Sequence, residues 1–257
     1  MEKARVEKAA KCLHWDGVRL YLSTHGVLRR FPALVERRDL VYDAALRLGF
    51  PGGRRLRRLL TQRYYWPGLA RDVLRWCQEF IPVQLGPRGR LDPPKYLLPT
   101  PYKCTSPFHT WAVDLIVLPG PHGIRYILVC VCVFSKWVEA GVLLDKEATT
   151  VTRWFHGNIT CRFGSPAYVR ADRGGEFRGA FARYLERLGT RLLLTLPNNP
   201  RANGLVERIN GLIANGLRKM LLALPGVALE DALVDVLAGL RQLPTRLGWQ
   251  PFLLVFK

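Results

Sequence analysis

The carboxy-terminal part of the chain alternates apolar, strand-like runs with helical periodicities. Three apolar runs come first, and helical and strand-like segments alternate after them. The predicted strands cover residues 110–118, 125–134, 137–143, 167–171 and 191–194, and the predicted helices cover residues 147–163, 176–188, 203–224 and 229–243. Three strands in a meander followed by alternating helices and strands predict an α/β fold, in which helices pack on a mixed sheet.

The amino-terminal part is organised differently. Residues 1–40 show no strong periodicity and are predicted to form an arm or short strands, whereas residues 43–80 have the spacing of helices joined by a turn. Five prolines then fall between residues 86 and 101, where they remove backbone donors and block regular structure. We therefore expect an arm at 1–40, a small helical module at 41–86, a proline-rich linker at 87–104 and a larger domain at 105–257.

The composition adds a strong excess of positive charge to this picture. Hydrophobic residues make up 49% of the 257 positions, which is enough to bury a core. Lys and Arg number 39 against 20 Asp and Glu, which gives a formal net charge of +19 and predicts a polyanionic partner. The densest patch of arginines lies within a window without acidic residues at 44–71 and comprises Arg47, Arg54, Arg55, Arg57, Arg58 and Arg63. This window forms either a solvated helix face or a nucleic-acid-binding face, and both interpretations stay open.

The cysteines and the lengths of the apolar runs indicate the redox compartment of the protein and whether it is secreted or associated with a membrane. The six cysteines show no paired framework, which favours a reducing compartment. The charged first residues lack the apolar stretch of a signal peptide, and the longest uncharged apolar run, residues 126–134, is about half of what a membrane helix requires. We therefore expect neither secretion nor a membrane partner.

Three carboxylates stand where strands or helices would aim them at a common point. Asp114 lies inside an apolar strand, Asp172 ends a short strand before two glycines, and Glu207 lies one turn into the long helix. Three such groups repel one another unless a divalent cation neutralises them, and oxygen ligands select Mg²⁺ or Mn²⁺. The alternatives are a core acid paired with an arginine, a turn residue and a partner of the helix dipole, respectively.

The segments around these acids resemble the catalytic core of retroviral and gypsy-type LTR-retrotransposon integrases, which carry an Asp, Asp, Glu triad on an RNase H-like fold. The matching segments are WAVD at 111–114, FSKWVEA at 134–140, DRGGEF at 172–177 and NPRANGLVER at 199–208. The interval between the second and third acids is one residue shorter than is usual in the family. The resemblance covers residues 41–256 and implies an α/β, RNase H-like mixed five-stranded sheet flanked by helices and preceded by a small helical module.

The resemblance implies a catalytic role for Asp114, Asp172 and Glu207, which would also be ligands of Mg²⁺ or Mn²⁺, with no protein nucleophile. In the family, two divalent metal ions serve DNA integration. Water attacks during processing of a DNA 3′ end, and the 3′ hydroxyl then attacks target DNA in strand transfer. Two further acids of the matching segments, Glu139 and Glu176, are interpreted as structural.

The resemblance also implies DNA as the partner, both the ends of the element and the target, together with a homo-oligomer and a nuclear location. We expect the DNA contacts on the arginine-rich module, in the loop of residues 197–203 and directly after Glu207. The expected residues are Arg54, Arg55, Arg57, Arg58, Arg63, Asn199, Arg201, Asn203 and Arg208. Asn198 and Asn199 replace side chains that are commoner in the family, and this departure affects DNA contacts more than metal binding.

The amino-terminal module resembles the His-His-Cys-Cys zinc module that precedes an integrase core, but its ligands are replaced. The expected histidines fall at Ala45 and Phe50, and the expected cysteines at Phe80 and Val83. None of these side chains can ligate zinc, and Cys77 is left without a second ligand. We therefore expect no zinc in this module. A carboxy-terminal DNA-binding domain, which in the family begins near residue 257, is also expected to be missing.

Two other functions remain as alternatives to an active integrase. The first is a domesticated or inactive integrase derivative that only binds DNA or chromatin partners, an interpretation that the replaced zinc ligands favour. The second is an RNase H-like nuclease that acts on RNA, since such enzymes share the same metal chemistry. The motif match favours the integrase over this nuclease.

Overall fold

The structure, a computed structural model, describes residues 12–24, 26–82, 104–120, 123–195, 200–245 and 248–256. Nearly all of the predicted linker lies outside these ranges. Across the described helices, none combines the length and the apolar character that a membrane span requires.

The first described residues form a small antiparallel meander. Its strands are β1 (Leu13–Trp15), β2 (Leu20–Thr24) and β3 (Val27–Phe31), in the order β1-β2-β3. A 3₁₀ turn at Leu34–Glu36 leads into three helices, α1 (Arg37–Leu46), α2 (Gly53–Arg63) and α3 (Leu69–Glu79), which we call the module. In α2 the buried residues Leu56 and Leu60 lie one turn apart, so the arginines occupy the remaining faces of the helix.

A five-stranded mixed sheet dominates the rest of the molecule. Its strands are β4 (Thr110–Gly120), β5 (Gly123–Cys132), β6 (Val138–Leu143), β7 (Tyr168–Ala171) and β8 (Arg191–Leu194). The spatial order is β6-β5-β4-β7-β8, with antiparallel pairing from β6 to β4 and parallel pairing from β4 to β8. The parallel pairs require helical crossovers, as expected for this α/β class.

The helices of this domain connect and cover the sheet. They are α4 (Ala148–Phe155), α5 (Cys161–Phe163), α6 (Ala180–Arg187), α7 (Pro200–Ala223), α8 (Leu229–Gln242) and α9 (Pro251–Phe256). A π-helical turn at His156–Thr160 joins α4 to α5, so the single predicted helix at 147–163 is interrupted. The predicted helix at 176–188 starts later, because Gly179 adopts a φ of +54° after a 3₁₀ turn at Gly175–Phe177.

The two faces of the sheet bury two separate apolar clusters, because successive side chains of a strand point to opposite sides. On one face, α4 and α6 cover the cluster that contains Trp111, Val113, Leu128 and Cys130. On the other face, α7 and α8 cover Ala112, Ile127, Val129 and Val131. Asp114 follows Ala112 by two residues in β4, so its side chain points to the same face of the sheet. Asp114 therefore lies on the face that α7 and α8 cover.

The module packs against α7 and α8 and shares their apolar cluster. The cluster runs without interruption from Val41 and Phe50 of the amino-terminal part to Val236 of α8. The approach is close at Gly239, where an added Cβ would collide with the carbonyl oxygen of Leu48. The Lys219 ammonium also donates to the Phe50 carbonyl oxygen at 3.3 Å. The module and the sheet domain therefore form one continuous packed body in the described part of the chain.

A buried ion pair fastens α8 to the edge strand β6. Glu139 Oε2 accepts from the Arg241 guanidinium at 2.7 Å and from that of Arg162 at 3.4 Å, while Glu139 Oε1 accepts from the Trp137 indole at 2.9 Å. The Glu139 side chain is 5% exposed, and the Arg241 guanidinium lies over the Trp137 ring. Glu139 thus acts in packing, in agreement with its interpretation as a structural residue.

We expect Glu139→Gln to lower the free energy of unfolding by about 3 to 5 kcal/mol, because it leaves the Arg241 charge buried without its counter-ion. Denaturant melts of the full chain would measure the change. The matched control is Glu79→Gln, since Glu79 forms ion pairs with Arg38 and Arg75 on the surface. Surface pairs contribute about 0 to 1 kcal/mol. Equal losses in both variants would contradict the assignment of Glu139 as the anchor of α8.

Candidate active site

Asp114 lies in the middle of β4, half-buried, on the face that α7 covers. Its Oδ1 accepts from the backbone N–H of Leu115 at 2.9 Å, and its Oδ2 accepts from the Asn210 amide at 2.8 Å. The pKa of the Asp114 carboxyl is raised to about 6, chiefly by burial and further by the negative charges of Asp172 and Glu207. Asp172 and Glu207, the other two predicted members of the triad, therefore lie close enough for their charges to act on Asp114.

Asp172 follows β7 directly, next to β4 in the parallel part of the sheet. The register pairs Ala112 with Arg170, and continuing it places Asp172 level with Asp114. Asp172 Oδ1 accepts from the Gly174 N–H at 2.9 Å, which fixes the chain in a turn as it leaves the strand. The turn holds the carboxylate at the carboxyl end of β7, where open α/β sheets place ligand-binding groups.

Glu207 approaches the two aspartates from the long helix α7. Val206 and Ile209 beside it are buried against the sheet, whereas Glu207 itself is exposed at the surface. The helix is thus anchored by its apolar side while Glu207 faces solvent near the end of β7. α7 begins at Pro200 rather than at the predicted Asn203, which fits the preference of proline for the first helical turn.

The three carboxylates are grouped but do not enclose an ion in this conformation. In the described ranges, no three Asp, Glu, His or Cys side chains are close enough together to hold a metal ion. The donor set still has the chemistry of a divalent-cation site, since it consists of carboxylate oxygens. Burial, followed by the charges of Asp172 and Glu207, raises the pKa of Asp114. Closing this set around an ion requires a change of side-chain conformation.

Asn210 is a site residue that the sequence analysis missed. It lies one helical turn after Glu207 and donates to Asp114 across 96 positions of sequence. Its Oδ1 is buried, with no hydrogen-bond partner in the part of the chain that the structure describes. The signal that could have found it is the spacing of three from Glu207, which puts both residues on one face of the helix.

We expect Asn210→Ala to weaken divalent-metal binding by about 10-fold to 100-fold, because the Asp114 carboxylate loses the amide that orients it. Mn²⁺ titration by calorimetry would measure the affinity without requiring catalysis. Asn215→Ala is the matched control, since Asn215 lies on the same helix, five residues beyond Asn210. Unchanged Mn²⁺ affinity in Asn210→Ala would show that the hydrogen bond to Asp114 does not orient a ligand.

The predicted DNA-contacting arginines occupy two neighbouring elements. Arg54, Arg55, Arg57, Arg58 and Arg63 lie on α2, and Arg208 lies on α7 directly after Glu207. The structure brings Arg55 into electrostatic contact with Arg58 and Arg208, whereas Arg54 and Arg63 are exposed to solvent. Asn199 lies outside the described residues. Arg201 and Asn203 fall on the first turn of α7, but their side chains lie outside the description.

The positions at which zinc ligands are expected carry buried apolar side chains. Ala45, Phe50 and Phe80 are 1%, 2% and 5% exposed, and the Tyr42 ring meets those of Phe50 and Phe80 edge to face. Val83 lies outside the described residues. Cys77 is also buried, and burial raises the pKa of its thiol to about 11, far from the thiolate form that binds metals. An apolar core thus occupies the region where the resemblance places the ligands.

The mixed sheet and the helices that flank it give the larger domain the fold of integrase catalytic cores. Residues 105–200 match the family described as "Integrase core domain", and residues 35–82 match that described as "Integrase zinc binding domain". The chain is homologous to the integrase regions of retroviral Gag-Pol polyproteins and has the integrase-core fold.

Relatives support this assignment over part of their length. The chain is 34% identical over 144 residues to a Gag-Pol polyprotein of Koala retrovirus, which is 55% of this chain and 8% of that polyprotein. It is 36% identical over 115 residues to a Pol polyprotein of Radiation murine leukemia virus, covering 44% of this chain and 20% of the relative. The chain thus spans only a small part of the polyproteins that it matches.

Solved structures show the same fold at lower identity. An intasome structure of simian T-cell lymphotropic virus, with the PP2A regulatory subunit B56 gamma, matches with a TM-score of 0.63 and 18% identity, over 86% of this chain and 72% of that one. The HTLV-2 integrase catalytic core domain, in complex with magnesium, matches with a TM-score of 0.50 and 24% identity, over 58% of this chain and 97% of that one.

Proposed function

We propose that this protein is a DNA integrase-like polynucleotidyl transferase that processes DNA 3′ ends and transfers them to target DNA. The observation that carries the proposal is the grouping of Asp114 with Asp172 and Glu207, three acids from three elements that interact electrostatically beside the carboxyl end of β7. Membership of the chain in an integrase-core lineage supports DNA integration as the general process.

The carboxylates Asp114, Asp172 and Glu207 would hold two Mg²⁺ or Mn²⁺ ions. When bound, such ions neutralise the charge on a phosphodiester and activate a water molecule or a DNA 3′ hydroxyl. The HTLV-2 catalytic core, which has the same fold, is described in complex with magnesium. Asn210 holds Asp114 in place, and the turn at Gly174 holds Asp172.

The chain's other contribution is to hold DNA beside the acids. The excess of basic residues offsets the repulsion between DNA phosphates and three carboxylates, and it adds salt dependence to binding. No side chain of the triad acts as a covalent nucleophile in this proposal. The attacking oxygen comes from water in end processing and from the DNA 3′ hydroxyl in strand transfer.

The proposal is tested by incubating the purified chain with Mg²⁺ or Mn²⁺ and a labelled duplex that carries a free end. Nicking near the 3′ end and larger strand-transfer products are expected, and both should disappear with a chelator. An RNA–DNA hybrid in a parallel reaction separates an RNA-directed nuclease from an integrase. Cleavage of the hybrid without any reaction of the duplex would contradict the proposal.

A second candidate function is DNA or chromatin binding by an integrase derivative without catalysis. The open arrangement of the carboxylates favours it, because the described side chains include no group of three that holds an ion as they stand. The replacement of the expected zinc ligands also favours this binding function without catalysis. DNA binding with no reaction under Mg²⁺ or Mn²⁺ would support this candidate over the enzyme.

The origin and setting of the protein are further parts of the proposal. We infer descent from a gypsy-type LTR retrotransposon or a related retroviral element, a homo-oligomeric state on DNA, and a nuclear location. The relatives that share its fold support oligomerisation, since the matched structures include an intasome and trimeric and dimeric forms of a catalytic core.

We also propose that the module folds without zinc, because buried Ala45, Phe50 and Phe80 stand where ligands are expected. Elemental analysis should find zinc well below one ion per chain, and a chelator should leave the melting temperature unchanged. A structural zinc contributes about 10 to 16 kcal/mol to the folding of such modules, so its removal would be conspicuous. Stoichiometric zinc, or a large fall in melting temperature with the chelator, would contradict this proposal.

A further inference from the structure

A cysteine and a histidine meet at the π-helical turn that follows α4. The turn begins at His156 and leads directly into Cys161. The Cys161 Sγ lies 3.5 Å from His156 Nε2 and 3.9 Å from Nδ1, so the thiol contacts the ring chiefly through Nε2. Of the six cysteines, which all lie within the described ranges, Cys161 is the most exposed to solvent. Single π-helical turns are frequent at functional sites, and this one holds an accessible thiol against an imidazole.

Two hydroxyls hold the His156 ring on its other side. The Tyr184 hydroxyl on α6 donates to Thr160 Oγ1 at 2.9 Å and also lies 2.9 Å from His156 Nδ1. With the phenolic proton directed at Thr160, Nδ1 donates to the Tyr184 oxygen, and Nε2 is left to accept the proton of the Cys161 thiol. A nucleophile, a base and a group that orients the base are thus in line, which is the arrangement that activates a cysteine.

His156 and Tyr184 also line a cavity between α4 and α6. Its volume is about 720 Å³, within the range of small-molecule sites. Three arginines line it as well, Arg153 on α4 and Arg183 and Arg187 on α6. The thiol at the turn is therefore one imidazole ring away from a cavity lined by basic side chains.

The three arginines of the cavity lack close counter-ions. Within the described part of the chain, no carboxylate oxygen lies within 4.0 Å of their guanidinium nitrogens, although other arginines form such pairs. Glu186 also lines the cavity, and Asp145 lies within electrostatic range of Arg153. Three arginines against one carboxylate in the lining leave an excess of positive charge, so the cavity favours an anionic ligand.

The cavity and the acid triad lie on opposite faces of the sheet. α4 and α6 cover the apolar cluster around Trp111 and Val113, whereas Asp114 lies on the face that α7 covers. The thiol therefore has no part in the metal chemistry proposed above. A ligand that uses both features of this site carries negative charge for the arginines and an electrophilic sulfur for the thiol.

We propose that Cys161 is a modification site at which an anionic, low-molecular-weight disulfide such as glutathione disulfide forms a mixed disulfide with the chain. His156 Nε2 accepts the thiol proton, and Cys161 Sγ attacks one sulfur of the ligand. The disulfide bond of the ligand breaks as the new S–S bond forms, and the leaving thiolate takes the proton from His156. The ligand is itself the oxidant, so the step needs no other co-reactant. This inference does not depend on the function proposed above.

The test measures mixed-disulfide formation at each cysteine of the full chain, by peptide mass spectrometry, in an excess of glutathione disulfide at neutral pH. The rate at Cys161 should fall about 10-fold in His156→Gln, because an unassisted thiol is only a few per cent ionised at this pH. Tyr184→Phe removes the hydroxyl beside Nδ1 and keeps the aromatic ring, so its rate should fall less. His14→Gln is the matched control, since His14 is an exposed histidine on β1.

The charge of the cavity is tested with two disulfides of opposite charge. The wild type should react faster with glutathione disulfide than with cystamine, which is cationic. Arg183→Gln should reduce this preference about 5-fold, because the charge that attracts one reagent and repels the other is removed. Arg218→Gln is the control, since Arg218 is an exposed arginine of α7, on the opposite face of the sheet.

Melting temperatures establish that each variant is folded. An unchanged Cys161 rate in folded His156→Gln would mean that the histidine is only a packing partner, and would overturn the proposal. A wild-type rate at Cys161 no higher than at the partly exposed Cys12 and Cys104 would overturn it as well, whether or not the histidine variant folds. Equal effects of Arg183→Gln and Arg218→Gln would overturn the assignment of the ligand to the cavity. None of these readouts requires DNA or a metal ion, so this proposal and the proposed function can fail separately.

Discussion

Asp172→Asn is expected to abolish nicking and strand transfer while leaving the protein folded. The carboxylate charge is lost, but an asparagine Oδ1 can still accept from the Gly174 N–H that now bonds Asp172. We expect the rate to fall on the order of 1,000-fold or more, equivalent to about 4 kcal/mol of lost transition-state stabilisation, because an acid of a metal-binding triad is removed. Single-turnover assays on a labelled duplex end, with Mg²⁺ or Mn²⁺, measure the rate.

The control for this experiment is the same substitution in a similar turn far from the acids. Asp16 accepts from the backbone N–H groups of Val18 and Arg19 at 2.9 Å and 2.6 Å, in the loop between β1 and β2. Asp16→Asn should keep the wild-type rate. If Asp172→Asn also kept that rate, or if both variants lost it equally, the assignment of Asp172 to the active site would be wrong.

Asp114→Asn is expected to stabilise the metal-free protein at neutral pH. The pKa of Asp114 is about 6 in the folded chain against an ordinary value of 3.8, so between these values the folded state binds more protons than the unfolded state. By linkage, the stability that Asp114 contributes is complete below about pH 3.8 and is lost as the pH rises through 6. At pH 7.5 the wild type should thus be less stable than Asp114→Asn, by up to about 3 kcal/mol.

Denaturant melts of both proteins between pH 4.5 and 7.5, in a chelator, measure this difference directly. Adding Mg²⁺ or Mn²⁺ at pH 7.5 should reduce the difference in stability between the two proteins. A bound cation offsets the repulsion among the carboxylates of the wild type, whereas the variant, with one carboxylate fewer, binds it more weakly. Asp145→Asn is the control, and its stability difference from the wild type should change with pH in the opposite direction, because a hydrogen bond from the Glu147 N–H lowers the pKa of Asp145. A stability difference that does not change with pH would show that Asp114 carries no raised pKa.

Apolar periodicity predicted the sheet domain well, because the central strands β5 and β7 carry fully buried apolar side chains. The order of strands along the chain and the positions of Asp114 and Asp172 on them follow from that pattern. The helical boundaries were harder to predict, because they depend on single backbone conformations. The φ of +54° at Gly179 and the π-helical turn after Phe155 leave no mark on hydrophobic spacing.

The candidate site was predictable only for the residues that carry charge or belong to a motif. Asp114, Asp172 and Glu207 could be proposed from the sequence because carboxylates are costly in apolar surroundings and because the surrounding motifs resemble those of integrases. Asn210 was missed, since its role depends on a contact with a strand 96 positions earlier in the sequence.

The core that the module shares with α7 and α8 makes a single substitution toward a zinc ligand costly in stability. Phe50→His would remove a ring that is 2% exposed and packed against Tyr42, and it would place a polar imidazole in the apolar core. Each single substitution of these apolar residues by a zinc-ligating residue would thus lower the stability of the protein. Selection acting on packing alone would preserve the apolar residues Ala45, Phe50 and Phe80 at these positions.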